Sequence, residues 1–401
     1  MNILDLALAL IVSKLLGEGF IRLKQMEVLG ELFAGIIFAF IMTNFPIINL
    51  NYFGHIFSYS MHLSGETFNF FADMGIILLL FIVGMETSVI DLKKSGKRGL
   101  STASLGVAIP FVLGAIFSAK ILGFTPRQSF IAGAIFTATS VGVTVRALMD
   151  LKQLRSVAGT TIITAAIIDD IAGIMILTFV LGAESPAQLI LGFIVFSIII
   201  VILAAGPIDA MMHFSHKKMH SPYAIISIAI GFGLLISVLA KEMGLAPITG
   251  AYFAGLLINR TREKKLILSP VQNIARAIFI PIFFVKVGAL FDFRMFTNVD
   301  VKYFFFLPLA FIGKFVGCGT GSLLGGIHWK DAVRVGIGMM PEMEVALVIS
   351  TFAYSRHVFP DIIGKQMVSI TILYVIISAI IVPIFLKMLF PKAMQEKVVS
   401  I

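Results

Sequence analysis

The chain alternates apolar runs of about 20 residues with short polar joints from one end to the other. Runs of that length with few charges meet the requirement of a membrane-crossing helix, because roughly 20 residues rising 1.5 Å each cover the hydrocarbon thickness. Thirteen such spans can be marked, at about residues 2–21, 27–43, 66–90, 99–119, 127–149, 156–181, 187–212, 222–240, 245–259, 271–291, 303–326, 332–354 and 365–389. Alternating segments of about 10 residues, which would mark a membrane β-barrel, are absent. The pattern predicts an all-α polytopic membrane protein, a single integral unit over residues 1–401. The longest joint, about residues 44–65, is itself rich in Phe, Tyr and Ile. The start, MNILDLALALIVSKLL, lacks a basic leader and a small-residue cleavage site, so it reads as a first membrane helix.

Composition agrees with the pattern. Hydrophobic residues make up 58% of the chain and charged residues 13%, too few to cover a soluble surface of this size. The net charge of +9 raises the question of nucleic acid, and the placement of the basic residues answers it. With the N-terminus outside, the inside joints hold 18 Lys and Arg and the outside joints 7. That asymmetry is the positive-inside rule at work, and it leaves no basic surface to assign to nucleic acid. It places the N-terminus outside and the C-terminus inside. The single cysteine, Cys318, excludes an intrachain disulfide and a cysteine metal cluster.

An internal repeat changes the picture further. GELFAGIIF from Gly30 and GAYFAGLLI from Gly250 share Gly-x-x-Phe-Ala-Gly, 220 residues apart. LFIVGME with Gly84 matches FVKVGAL with Gly288 at an offset of 204. GAIFTATSVGVTV from Gly133 matches GIGMMPEMEVALV from Gly336 at an offset of 203. Each match joins spans seven apart, an odd number, so the two copies face opposite ways. Repeat one covers about 2–181, a connector helix about 187–212, and repeat two about 222–389. Inverted repeats of this kind are characteristic of secondary transporters, whose sites lie near the midplane where broken helices meet. The competing reading is convergence among helices rich in small residues. Spans five and twelve are the candidates for breaks, one through Thr137 to Ser140 and the other at Pro341, which lacks an amide donor.

Two adjacent aspartates, Asp169 and Asp170, sit in the middle of span six. Charge at the bilayer centre is costly and marks function by default. Ala158/Gly159, Ala165/Ala166 and Ala172/Gly173 recur every seven residues around them, a stripe that lets neighbouring helices approach closely. Neighbouring helical positions differ by about 100° in direction, so the two carboxylates do not readily share one partner. One can pair with a fixed counter-charge while the other faces a cavity. There it carries a proton or a hard monovalent cation but hardly both, and competition at one carboxylate gives obligatory exchange.

For the counter-charge, Lys314 on span eleven is the first choice and Lys286 on span ten the second. Gly313, Gly317, Gly321 and Gly325 recur every fourth residue and give span eleven a flat packing face beside Lys314. Glu342 and Glu344, beside Pro341, can balance Arg146, Lys314 or Lys286. Three histidines, His213, His216 and His220, cluster in one inside joint and read as a solvated loop, with pH sensing as the alternative. Two carboxylates also serve intramembrane aspartyl proteases. In those the pair comes from two helices with a Gly-x-Gly-Asp setting, and here both acids share one span.

The strings LGELFAG, LLLFIVGMETSVIDL, GAIFTATSVGVTVRAL, AAIIDDIAG, PIFFVKVG and GMMPEMEVALV resemble the monovalent cation:proton antiporter superfamily, in particular its NapA/KefC-like branch. The resemblance covers essentially the whole chain, and the aspartate pair is its most specific part. It implies the sodium/proton antiporter fold, with a dimerisation domain and a mobile core that moves like an elevator. The core helices would be about 66–90, 99–119, 127–181, 271–354 and 365–389, the rest scaffold, in a homodimer in a prokaryotic cell membrane. It implies no cofactor, only transported Na⁺ and H⁺. Asp170 would bind Na⁺ or protons, Asp169 would pair with Lys314, and Thr139 and Ser140 would line the site. An aspartate pair in this family goes with electrogenic exchange of two protons for one sodium ion. Potassium or broad monovalent cation exchange on the same fold is the alternative. The second break departs from the family's Pro-Arg-Gly-Glu: Pro341 is followed by Glu342, Met343 and Glu344, and Lys286 stands where a small residue is usual. The expected chain carries no soluble regulatory domain.

Overall fold

The computed structural model describes residues 3–390 apart from 24, 46–47, 53–54, 60–62, 64, 88, 138, 182–185, 220, 222, 291–298 and 343. The side chains of Asp170, His216 and Glu344 and the whole of His220 lie outside the described set. The helices run α1 (Ile3–Arg22), α2 (Glu27–Asn44), α3 (Glu66–Glu86), α4 (Val89–Lys120), α5 (Pro126–Ile135), α6 (Val141–Asp150) and α7 (Val157–Leu181). They continue with α8 (Pro186–Ala204), α9 (Pro207–Lys218), α10 (Ala224–Glu242), α11 (Pro247–Asn259) and α12 (Lys264–Ile274). A π-helical turn (Ala275–Phe279) leads into α13 (Ile280–Gly288), followed by α14 (Val301–Phe304), α15 (Phe306–Leu324), α16 (Trp329–Gly338), α17 (Glu344–Ser355) and α18 (Asp361–Leu389). Among the described residues, seven helices are long and apolar enough to cross a membrane unaided.

Two local features add detail to the all-helical architecture. Residues 48–52 and 55–59 pair as an antiparallel hairpin, with Ile48 opposite Tyr59 and Tyr52 opposite His55. HIFSY carries Ile, Phe and Tyr, which favour strands, and pairing with INLNY satisfies main-chain groups of both segments. The connector over 187–212 is a bent pair of helices. It divides into α8 and α9, bent by 53°. Gly206 takes a φ of 144°, and Pro207 begins the next helix without an amide donor to continue the previous one.

The chain forms two compact units. One comprises residues 1–76 and 274–299, the other 77–273 and 300–401. In the first, α1 and α2 pack against each other and against α13. A Cβ added at Gly35 of α2 would strike the Val285 carbonyl and come within 2.7 Å of the Gly288 Cα, so only glycine permits this crossing. Lys14 bridges Glu27 at 2.7 Å and Glu31 at 3.0 Å. On the same unit Lys286 Nζ lies 3.0 Å from Asp73 Oδ1.

The second unit repeats the glycine crossing. A Cβ at Gly84 of α3 would strike the Tyr252 carbonyl of α11 and stand 3.0 Å from the Gly255 Cα. The most extensive helix pair in this unit is α4 with α15. Its glycines meet α4 one turn at a time in antiparallel order. Added Cβ atoms at Gly313, Gly317, Gly321 and Gly325 would stand 2.9 Å from Pro110 Cα, 3.2 Å from Gly106 Cα, 2.8 Å from Thr102 Cα and 2.8 Å from Arg98 Cα. This backbone-to-backbone contact holds α15 at a set rotation, and Lys314, one residue past Gly313, is fully buried.

Candidate functional site

Two helices of the second unit are interrupted in mid-course. α5 ends at Ile135 and α6 starts at Val141, while α16 ends at Gly338 and α17 starts at Glu344. The two breaks meet. The Ser140 amide donates to the Pro341 carbonyl at 2.6 Å, the Thr144 hydroxyl to the Gly338 carbonyl at 2.6 Å, and the Thr139 hydroxyl to the Met339 carbonyl at 3.4 Å. Each interrupted helix leaves orphan carbonyls at one end and orphan amides at the other. Meeting in this way lets each break satisfy part of the other, and it brings two helix C-termini and two N-termini together. Their dipoles supply partial charge of both signs at one point. Tyr374 of α18 ties in from a third side, its hydroxyl donating to the Met340 carbonyl at 2.8 Å.

Lys314 is the cation at this crossing. Its ammonium donates to the Thr137 carbonyl and, at 2.5 Å, to the Thr139 hydroxyl, and it lies 3.6 Å from Asp169 Oδ2. Lys314 and Asp169 are 0% and 1% exposed. The Thr137 carbonyl belongs to the residues just past the end of α5, so the ammonium also meets the negative end of that half-helix. Among the described residues, none donates a hydrogen bond to either Asp169 oxygen. Its helix is held by small-residue contacts: the Cβ position of Gly99 faces Thr164 at 2.8 Å, and the Ser95 and Thr164 hydroxyls share a 2.7 Å hydrogen bond.

The other residues singled out from sequence fall as follows. Asp170 is on α7 one residue beyond Asp169, and Ser140 is half-buried at the first break. Arg146 is buried on α6 and pairs one turn along its own helix with Asp150, at 3.4 Å. Glu342 is fully buried in the second break, within electrostatic reach of Lys314 and Asp169, and neither of its oxygens has a hydrogen-bond partner among the described residues. Glu344 is the first residue of α17. Lys286 stands with Asp73, and Lys314 with Asp169. Of the histidines, His213 Nδ1 lies 3.3 Å from Glu263 Oε1.

Sequence reasoning passed over Thr144 and Tyr374. A threonine inside a half-helix and a tyrosine in an apolar span carry no periodic signal of their own. Only the crossing gives their hydroxyls a carbonyl to serve.

Comparison with known proteins follows the same outline. A family model described as "Sodium/hydrogen exchanger, transmembrane" matches residues 7–392. The chain is 30% identical over 394 residues to "Na(+)/H(+)-K(+) antiporter GerN" of Bacillus cereus, covering 96% of this chain and 95% of that protein. It is 30% identical over 358 residues to "Probable Na(+)/H(+) antiporter GerT" of the same organism, covering 86% and 89%. Two solved structures of the sodium proton antiporter MjNhaP1 from Methanocaldococcus jannaschii share the fold. One has a TM-score of 0.63 at 16% identity over 96% of both chains, the other 0.68 at 15% identity over 100% of this chain and 98% of that one. A multi-pass membrane fold, crossed helix breaks around buried charge and a match over nearly the whole length lead to one assignment: the chain belongs to the transmembrane sodium/hydrogen exchanger family and is a monovalent cation:proton antiporter.

Proposed function

We propose that the protein exchanges Na⁺, with Li⁺ as a substitute, for H⁺ across the cell membrane by alternating access. Asp170 carries the cation or a proton, Asp169 is held by Lys314, and Thr139 and Ser140 line the site. The observation that carries this reading is the buried Lys314–Asp169 pair at the meeting point of two interrupted helices. A carboxylate next in sequence to one already neutralised by an ammonium is left to meet a mobile positive charge, and exchange follows from competition for it.

In this reading thirteen crossings run from an outside N-terminus to an inside C-terminus, in an inverted repeat. The glycine crossings support it. Gly35 with Gly288 joins spans two and ten, and the repeat maps that pair onto Gly255 with Gly84, which joins spans nine and three. The core helices, about 66–90, 99–119, 127–181, 271–354 and 365–389, move as an elevator against the remaining scaffold of a homodimer. Two protons exchange for one cation, which makes transport electrogenic. A second reading, transport of K⁺ as well, is favoured by the relative GerN, whose name carries K⁺ beside Na⁺.

The test is exchange in proteoliposomes with a pH-sensitive dye, adding Na⁺, Li⁺ and K⁺ in turn at several pH values. Na⁺ and Li⁺ are expected to drive proton movement, and a K⁺ response of equal size selects the second reading. Silence with all three cations in tight, correctly loaded vesicles overturns both. Asp170→Asn is expected to abolish exchange, and full activity in that variant removes Asp170 as the carrier.

A further inference from the structure

Among the described residues, nothing holds the Glu342 carboxylate. It is 0% exposed, and neither Oε1 nor Oε2 receives a hydrogen bond from any of them. It stands in the second break, between Pro341, whose carbonyl accepts from the Ser140 amide, and the start of α17. Among the described residues, the charged and titratable groups that act on it come from three elements: Lys314 on α15, Asp169 on α7, and Tyr374 on α18, whose own hydroxyl is spent on Met340. Cys318, one turn beyond Lys314 and buried, shares the same electrostatic neighbourhood. The only formal positive charge among these is the Lys314 ammonium, which in this conformation serves Thr137, Thr139 and Asp169. One cation therefore has two buried acids within its electrostatic reach and faces one of them. An ionised carboxylate without a donor or counter-charge in such a place costs several kcal/mol, so the acid not facing the ammonium must be neutral.

We propose that Glu342 is a second proton carrier of the exchange, alternating with Asp169 as the counter-charge of Lys314. This rests on the antiport reading above and adds a residue to it. In the proton-loaded site Asp170 and Glu342 each hold a proton, and Asp169 is ionised against Lys314. When a cation arrives at Asp170, it brings positive charge beside Asp169 and frees the ammonium. Lys314 then turns to Glu342, which releases its proton, while Asp170 releases the other. Two protons leave for one cation, and the lysine keeps its charge throughout. The charges balance: a neutral site plus one cation becomes a site of net charge −1 plus two protons. The flexible Lys314 stem lets the ammonium change partner by rotation about its own bonds, without moving α15.

The experiment counts protons released on cation binding to the purified full-length protein in detergent, by titration calorimetry with NaCl in two buffers of different ionisation enthalpy. The wild type is expected to release about two protons per Na⁺ bound, and Glu342→Gln about one, with Na⁺ binding retained. An unchanged count in Glu342→Gln overturns the proposal while leaving the antiport reading intact. Failure of the wild type to bind Na⁺, Li⁺ or K⁺ at all overturns the antiport reading itself. Should Glu342→Gln not purify as folded protein, Glu342→Asp decides: the count stays at the wild-type value and the pH of half-release moves. A wild-type profile in Glu342→Asp overturns the proposal.

Discussion

Lys314 and Asp169 face each other across 3.6 Å with side chains 0% and 1% exposed, whereas Lys286 and Asp73 meet at 3.0 Å with side chains 31% and 65% exposed. Distance alone would rank the second pair higher. Environment reverses the order, because the attraction between two charges grows as the surrounding dielectric falls, and so does the penalty for leaving either one alone. Lys286 can lose its aspartate and be rescued by solvent or headgroups. Lys314 has no such recourse, and its other contacts, the Thr137 carbonyl and the Thr139 hydroxyl, carry no formal charge. The difference teaches what each pair is for. An exposed pair tunes a surface, while a buried pair at crossed helix ends constrains which charge states the site can adopt.

The largest test of this contrast is Lys314→Gln, which leaves Asp169 buried without its cation. Breaking a buried pair from one side costs about 3–5 kcal/mol, so the variant is expected to melt well below the wild type in detergent and to lose exchange in proteoliposomes. A Tm within a few degrees of wild type would mean that Asp169 is not charged in this state. Next comes Asp169→Asn combined with Lys314→Gln. Removing both charges is expected to recover about 1–3 kcal/mol relative to the sum of the single variants, read as the coupling in a double-mutant cycle. Additivity there would dissolve the pair as an energetic unit. A step smaller, Gly317→Val forces side-chain atoms against the Leu105 carbonyl and Gly106 of α4, and is expected to cost about 1–3 kcal/mol by overpacking. It should also reduce exchange, since α15 carries Lys314; full activity would show that the glycine face does not position the lysine. The smallest effect belongs to Lys286→Gln. An exposed pair is worth about 0.2–1 kcal/mol, so its loss is expected to leave Tm nearly unchanged and exchange within about twofold. A loss matching that of Lys314→Gln would erase the distinction between the two pairs.

Much of this was legible in the order of residues because membrane helices advertise themselves by length and apolarity. The apolar helical character, the small-residue stripe around Asp169, the Gly313–Gly325 series and the interruptions near Thr137–Ser140 and Pro341 all follow from local chemistry. Pro cannot donate, Gly adds no bulk, and a long apolar run has one stable form in lipid. Two finer features also have local causes that the apolar pattern masks: the hairpin at 48–59 in a hydrophobic joint, and the bend at Gly206–Pro207 inside the connector.

What the sequence determined by itself was the kind of object: a polytopic helical protein with two acids and two lysines where charge is costly, and with two helices that cannot run straight. Tertiary structure decided the pairings. The glycine series beside Lys314 makes it the first choice over Lys286, but only the stacking of α15 on α4 sets its ammonium 3.6 Å from Asp169. The same holds for Glu342, an acid beside a proline in the sequence, and in the folded chain a buried carboxylate with no donor among the described residues. Burial and partnership are properties of several segments at once, and no single segment encodes them.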